Sequence, residues 1–279
     1  IRRPPRSTPK PSSAASDVYK RQDYNSSERQ LKGRGYFLHT LDDTDSTNVE
    51  CRKMAESGAG EGLIVQALSQ SSGRGRRGRS WNSPKGNLYF SMLIKPKCIV
   101  SKALGISFVS AVAMCDALGA LLPPMVEVRV KWPNDILINQ RKCCGFLLES
   151  SSDCSGNVKW VIIGTGVNVE SFPEDVDYPA TSLSFEGSPN LALRDVLLSF
   201  LRHFKRWKNI WEEEGFSPIR EAWMERSIGM GKRITAKLVE ASYTGIFSDL
   251  NADGSLVMIT DDGNKVVISS GDIFAELVV

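Results

Sequence analysis

The glycine–arginine run at residues 72–79 leads directly into Ser80, Trp81, Asn82, Ser83, Pro84, Lys85 and Gly86, where no helix can form. That juxtaposition constrains the fold more than any other feature of the chain. Gly73, Gly75 and Gly78 satisfy the G-x-G-x-x-G pattern of dinucleotide-binding proteins, and residues 73–80 satisfy a P-loop pattern with Arg79 at its basic position. Both patterns require the glycines to open into a helix whose N-terminal amides cradle phosphate. Here Pro84 and Gly86 break any helix, and residues 87–95, NLYFSMLIK, alternate like a strand. The run is a strand-to-strand loop, and both phosphate-binding folds are excluded.

The surrounding elements follow from periodicity and punctuation. Residues 36–41 and 62–69 read as strands, the second delivering the chain into the loop and neighbouring the strand at 87–95. Between the first two, Asp45, Ser46, Thr47 and Asn48 are N-cap candidates for a helix reaching Glu56 and stopped by Gly58 and Gly60. Residues 100–121 are small or apolar nearly all round, as suits a long helix buried against a sheet. Strands follow at 126–132, 135–138, 143–149 and 158–169, with tight turns at 139–141 and 153–156. Amphipathic helices at 191–214 and 217–225 come next. Short strands at 232–239, 243–250, 254–259 and 265–268 then predict a small β-barrel of about fifty residues. The expected class is α/β (α+β), with a mixed, mostly antiparallel sheet.

Charge restricts the choice of partner. Residues 1–22 hold six of the 35 Lys/Arg and one of the 32 Asp/Glu, so the rest carries 29 basic against 31 acidic residues, a net of −2. That body is not a polycation seeking nucleic acid. Residues 1–22, with four prolines and no hydrophobic period, are read as a disordered tail or a cloning or sequencing artefact. No window holds eighteen consecutive apolar residues, so no membrane span is expected. Six cysteines without C-x-x-C spacing suggest reduced thiols in a cytoplasmic protein. With only His39 and His203, a histidine-based metal site is not expected.

Arg74, Arg76, Arg77 and Arg79 crowd into six residues. Guanidinium groups bind phosphate and carboxylate bidentately and stay charged in any site. Mutual repulsion predicts that the empty loop is disordered and that an anionic ligand orders it. Two further clusters interrupt the strands: residues 131–135 (KWPND) with the turn leading to Lys142 and Gly145, and residues 164–168 (GTGVN). Alone, Lys142 reads as a snorkelling surface lysine, and residues 164–168 as a bulge. Together the three clusters predict one cationic, amide-rich pocket with a lysine, an aspartate and no metal cage. Such a pocket suits holding a carboxylate beside a nucleotide, for activation by adenylation.

Asp45 to Asn48, Gln70 with the arginine loop, residues 131–135, Arg141 and Lys142 with Gly145, and residues 164–168 resemble, in this order, the signature of biotin–protein ligases from residue 36 to the end. The resemblance implies a class II synthetase-like catalytic domain over 23–229 and an SH3-like C-terminal domain over 230–279. It implies that biotin and MgATP (ATP with Mg2+) form biotinyl-5′-AMP, and that a lysine of a biotin carboxyl carrier domain of a biotin-dependent carboxylase then takes the biotin. Ser46, Thr47, Gln70, Gly73 and Arg74 would contact biotin, and Gly145 would give it room. Arg76 would hold the adenylate, Arg77 and Arg79 the phosphates, and Trp81 would pack by the nucleotide. Asn134, Asp135 and Asn168 would line the adenylate site, with Lys142 between the biotin carboxylate and the α-phosphate.

Two departures stand out: Ser71 and Ser72 where alanine or threonine is expected, and Cys143 and Cys144 in place of aliphatic residues. Cys144 is expected close enough to the pocket for its oxidation to inhibit. Some relatives carry an N-terminal winged helix that binds DNA; the residues before Tyr36 are too few for one, so no DNA binding is expected. The oligomeric expectation is a monomer or homodimer. The rival readings are a lipoate–protein ligase of related fold, and an RNA-binding module whose mark would be steep salt dependence.

Overall fold

A strand that is apolar at every position belongs in the middle of a sheet covered on both faces. Residues 88–94 are such a run but for Ser91, and in the computed structural model, which describes residues 31–275 except 177 and 239, all seven are buried. The tail assigned to residues 1–22 lies outside the described residues.

The large sheet contains β1 (Phe37–Thr44), β2 (Leu63–Gln70), β3 (Leu88–Ile94), β4 (Val128–Lys131), β5 (Asp135–Ile138), β6 (Arg141–Ser152) and β7 (Val158–Val167). Their spatial order is β1-β2-β3-β7-β6-β5-β4. Only β1 and β2 run parallel, joined by helix α1 (Thr47–Glu56); the other pairs are antiparallel. The mixed sheet expected from the sequence is therefore present. The β5–β6 connection turns through Asn139 and Gln140, both at positive φ, the geometry that matches strand twist in a two-residue hairpin.

The long helix expected at 100–121 forms as α2 (Val100–Ala103) and α3 (Gly105–Gly119), with Leu104 between them at helical angles. Gly105 admits the Trp211 indole, which a Cβ there would meet at 2.8 Å. By length and composition the segment Val100–Gly119 is apolar enough to cross a membrane, but it is mostly buried within the fold. It packs against α4 (Leu193–Glu214) and α5 (Ser217–Arg226) on one face of the sheet. Phe90, Met92, Ile163, Phe200 and Trp223 belong to the core on that side.

On the opposite face, α1 covers only part of the sheet. Cys51 and Ala55 pack with Leu63, Val65, Leu93, Trp160 and Ile162. Beyond them, toward Gly145 and Gly166, no helix among the described residues covers that face.

The C-terminal strands β8 (Arg233–Lys237), β9 (Ser242–Leu250), β10 (Leu256–Thr260), β11 (Lys265–Ile268) and β12 (Asp272–Ala275) form a five-stranded antiparallel sheet in the order β11-β10-β9-β8-β12. The sequence reading missed β12, a four-residue strand that pairs with distant β8 rather than with its chain neighbour. This sheet packs onto the large one: Trp132 Nε1 donates to the Gly254 carbonyl at 3.0 Å.

Candidate active site

Four parts of the chain meet over the uncovered sheet face. The start of α1 brings Ser46 and Thr47, the end of β2 brings Gln70, the arginine loop brings Arg74, Arg76, Arg79 and Trp81, and β5 to β7 form the floor. They enclose a cavity of about 720 Å³, a usual size for a small-molecule site. Asn134, Asp135, Lys142, Gly145 and Asn168 also line it; of the candidate residues only Gly73 and Arg77 do not.

The floor is flat because of its glycines. Gly145 and Gly166 are partners across β6 and β7, and the Trp81 indole lies on both. A Cβ on Gly166 would meet Trp81 Nε1 at 2.5 Å, and one on Gly145 would meet Cζ3 at 3.1 Å. Gly164 likewise makes room for the Asn48 side chain. The register is unbroken on both sides of residues 164–167, so the bulge expected there is absent. These glycines hollow out the sheet surface. The space above Gly145 is taken by Trp81.

One end of the cavity is polar and fixed. Ser46 is the N-cap of α1, yet its side chain makes no capping bond. Thr47 donates its amide (2.9 Å) and hydroxyl (3.2 Å) to Gln70 Oε1, while Gln70 Nε2 donates to Ser83 Oγ at 2.9 Å. Buried Ser91 lies 2.8 Å from Thr47 Oγ1 and 2.6 Å from Asn48 Oδ1. Asn48 in turn donates to Leu147 O and Glu149 Oε1.

The other end is charged. Lys142 Nζ sits 2.7 Å from Asp135 Oδ1 and 5.3 Å from the Trp81 ring centroid. Lys131 approaches the other Asp135 oxygen at 3.7 Å. Burial alone would push the Asp135 carboxyl up, but Lys142 and Lys131 together hold it below the usual carboxylate range. The snorkelling alternative for Lys142 fails, since its ammonium faces a buried carboxylate. Asn134 fixes the bend before β5 by donating to the Phe146 carbonyl, and Asn168, 3% exposed, donates to Thr181 O at 3.0 Å.

Each loop arginine has a partner. Arg74 pairs with Glu149 at 2.8 Å. Arg76 reaches Asn134 Oδ1 (3.3 Å), Ser270 Oγ (3.2 Å) and Gly271 O (3.5 Å). Arg77 and Arg79 both pair with Asp272, at 3.5 and 2.8 Å. The expectation that repulsion disorders the empty loop is corrected here, because Glu149 and Asp272 offset it. Arg77 faces the C-terminal sheet instead of the cavity. Cys143 and Cys144 are both fully buried and their thiols are pushed up by burial, which withdraws Cys144 as a ready site of oxidation.

Residues 65–225 match the model of the biotin/lipoate A/B protein ligase family, and residues 229–275 that of the biotin protein ligase C terminal domain. The chain belongs to this ligase family. It is 37% identical over 229 residues to the biotin–[acetyl-CoA-carboxylase] ligase of Paracoccus denitrificans, covering 80% of this chain and 95% of that one. The biotin protein ligase of Aquifex aeolicus, solved with biotin and ATP, superposes with a TM-score of 0.71 at 27% identity, covering 85% of this chain and 97% of that one. The Leishmania major biotin protein ligase, solved with biotinyl-5-AMP, gives 0.58 at 26% identity over 84% of this chain and 98% of that one. The large mixed sheet and C-terminal antiparallel sheet are those of the biotin protein ligase fold.

Within the ligase fold the sequence reading missed Glu149, Tyr178 and Asp272, all in or beside the cavity, and gave Asn48 no role beyond its place in the Asp45–Asn48 motif. Glu149 carried a usable signal: it lies an even number of residues from Gly145 on one strand, so it faces the same side. Asp272 carried none, being 193 residues from Arg79.

Proposed function

We propose that this chain is an ATP-dependent biotin–protein ligase, acting on a lysine of a biotin carboxyl carrier domain. The observation that carries this reading is the Lys142–Asp135 pair, 2.7 Å apart, on the floor of a cavity that also holds the Thr47–Gln70 network and the arginine loop. Membership of the ligase family, with relatives solved holding biotin, ATP and biotinyl-5-AMP, supports it.

The chemistry divides into two steps. A biotin carboxylate oxygen attacks the α-phosphorus of MgATP, the bond from that phosphorus to the bridging oxygen breaks, and pyrophosphate leaves. The neutral amine of the carrier lysine then attacks the acyl carbon, AMP leaves, and the new amide nitrogen releases its proton to solvent. Lys142 stands where negative charge builds up between carboxylate and phosphorus, and a fixed cation there lowers the barrier. Asp135 holds that ammonium in place. Ser46, Thr47 and Gln70 are assigned to the biotin head group, and Gly145 to the floor that seats the Trp81 indole beside it. Gly73 is assigned to the turn that lets the loop close, and Arg74 to biotin itself. Arg76 and Arg79 are assigned to the adenylate phosphate, with Arg77 bracing the loop from the C-terminal side. Trp81, Asn134 and Asn168 complete the nucleotide side. Mg2+ enters with ATP as substrate. Residues 23–229 form the catalytic unit and 230–279 the C-terminal unit that carries Asp272.

Pyrophosphate release by purified protein with biotin, lipoate or neither, and with no carrier, tests this. Biotin-dependent release is expected. Release with lipoate alone would change the substrate, and silence with both would remove the ligase reading.

A further inference from the structure

Lys142 lies where the sheet does not hold it well. The β5–β6 ladder shifts register between Ile136 and Leu137, so Lys142 pairs with Leu137 and Cys144 with Ile136. Register at that end therefore cannot fix Lys142 alone. What fixes it is a separate stretch of chain. The Lys142 amide donates to Pro179 O at 2.7 Å, and the Thr181 amide donates to Lys142 O at 2.9 Å, an isolated parallel bridge centred on Ala180. The same stretch holds Asn168: its Nδ2 donates to Thr181 O at 3.0 Å, and its carbonyl accepts from Leu183 N at 3.0 Å.

One carboxylate anchors this stretch. Glu186 Oε1 accepts from the Thr181 hydroxyl at 2.5 Å and from Arg141 Nη2 at 2.7 Å, while Oε2 accepts from Asn139 Nδ2 at 2.7 Å. Its side chain is only 4% exposed, so the charge is out of water and its three donors replace hydration. Two of those donors, Asn139 and Arg141, belong to the hairpin turn just before Lys142. The third belongs to the stretch that pairs with Lys142 and Asn168. Glu186 itself does not line the cavity.

We propose that Glu186 is a positioning residue for the adenylation step, tying the turn at 139–141 to Thr181 and so holding Lys142 and Asn168 in mutual register. The inference rests on the ligase reading above and deepens it. Misplacing a reacting group by about 1 Å costs on the order of 100-fold in rate, so a tie that controls the height of Lys142 acts on turnover more than on substrate affinity.

Glu186→Gln tests it with a built-in rescue. Glutamine keeps one oxygen for Arg141 and Thr181 but turns an amide toward the Asn139 amide, donor against donor. Asn139→Asp in the same chain restores an acceptor there, and it keeps the acceptor that Asn139 Oδ1 offers the Glu127 amide at 3.2 Å. Biotin-dependent ATP–pyrophosphate exchange and thermal unfolding are measured on wild type, Glu186→Gln and the double variant. The expected result is a kcat lower by about tenfold or more in Glu186→Gln, with KM for MgATP changed by about threefold or less, and kcat largely recovered in the double variant. Should Glu186→Gln not fold, Thr181→Val removes one hydroxyl tie and leaves both backbone bonds to Lys142, and a kcat loss of the same kind is expected. Wild-type kcat in the folded single variant would overturn the role, as would a loss matching its unfolded fraction with no rescue by Asn139→Asp. A wild-type protein inert with biotin would instead remove the ligase reading itself.

Discussion

Arg79 is bonded to both oxygens of Asp272, at 2.8 and 2.9 Å, so the arginine loop of the large sheet is tied to the first residue of the last strand of the small one. Arg77 joins the same carboxylate at 3.5 Å. With Arg79 56% exposed, the pair contributes about 1 kcal/mol or less to stability. Its effect falls on the loop. Asp272→Asn is expected to shift Tm by about 4 °C or less, while trypsin cleavage within residues 74–79 accelerates. Adding biotin and MgATP should restore protection. An unchanged cleavage rate would show that the C-terminal sheet does not hold the loop.

Ser46 offers a separation of stability from binding. An N-cap serine that caps its helix costs about 1 kcal/mol when replaced by alanine. The Ser46 side chain makes no such bond and lines the cavity instead. Ser46→Ala should therefore leave denaturant stability within about 0.5 kcal/mol of wild type, while KM for biotin in pyrophosphate exchange rises severalfold. A stability loss near 1 kcal/mol with unaltered KM would assign Ser46 to the helix alone.

Gly166 is open to a sharper test. A methyl there would lie 2.5 Å from Trp81 Nε1, against backbone that cannot shift without breaking pairing with both β3 and β6. The indole must leave the floor, and with it the face that Lys142 Nζ lies over. Gly166→Ala is expected to quench or shift the fluorescence change on biotin binding and to lower adenylation more than tenfold. Trp81→Ala combined with Gly166→Ala should cost less than the sum of the two single changes, since the clash is gone. Additive effects would mean the indole does not sit on Gly166.

Most of the fold was legible because it depends on local pattern. The strand expected at 87–95, the turn signal at 139–141 and the all-round apolar helix at 100–121 each correspond to an observed element, although the strand is buried throughout and not alternating. The site was legible where glycines stood inside apolar strands, since Gly164 and Gly166 in a buried strand need a reason and the reason is close packing of Asn48 and Trp81. What was not legible is the pairing of counter-charges. The face of Glu149 follows from its strand, but Glu149, Glu186 and Asp272 meet their arginines only through tertiary packing. β12 escaped for the same reason, as its pairing is with β8 and its four residues carry little periodicity of their own.

Cysteine chemistry should follow burial rather than nearness to the site. Cys154 is exposed, whereas Cys143 and Cys144 are fully buried with thiols pushed up. The thiolate is the reactive form, so iodoacetamide at neutral pH should label Cys154 first and leave pyrophosphate exchange close to its starting rate. Peptide mapping after partial labelling decides this. Early modification of Cys144 with loss of exchange would reinstate it as an oxidation-sensitive site.

Asp135 makes a prediction about pH whose sign is fixed by its surroundings. Lys142 at 2.7 Å and Lys131 at 3.7 Å outweigh burial and hold its folded pKa below the unfolded value, which is about 3.9. A carboxyl with a depressed folded pKa contributes stability that is fully present above the unfolded value and is lost as pH falls through the folded one. Asp135→Asn removes that contribution and leaves the buried Lys131 and half-buried Lys142 ammonium groups without this partner, at a cost of about 3 kcal/mol near neutrality. The difference in unfolding free energy between wild type and Asp135→Asn should hold steady from pH 7 to about pH 5, then shrink below about pH 4. The other carboxylates titrate alike in both proteins and cancel in the difference. Urea unfolding at several pH values measures it directly. A difference that stays constant down to the lowest pH at which both fold would show that Asp135 is not ionised against its two lysines, and Lys142 would lose the partner that holds it at the cavity floor.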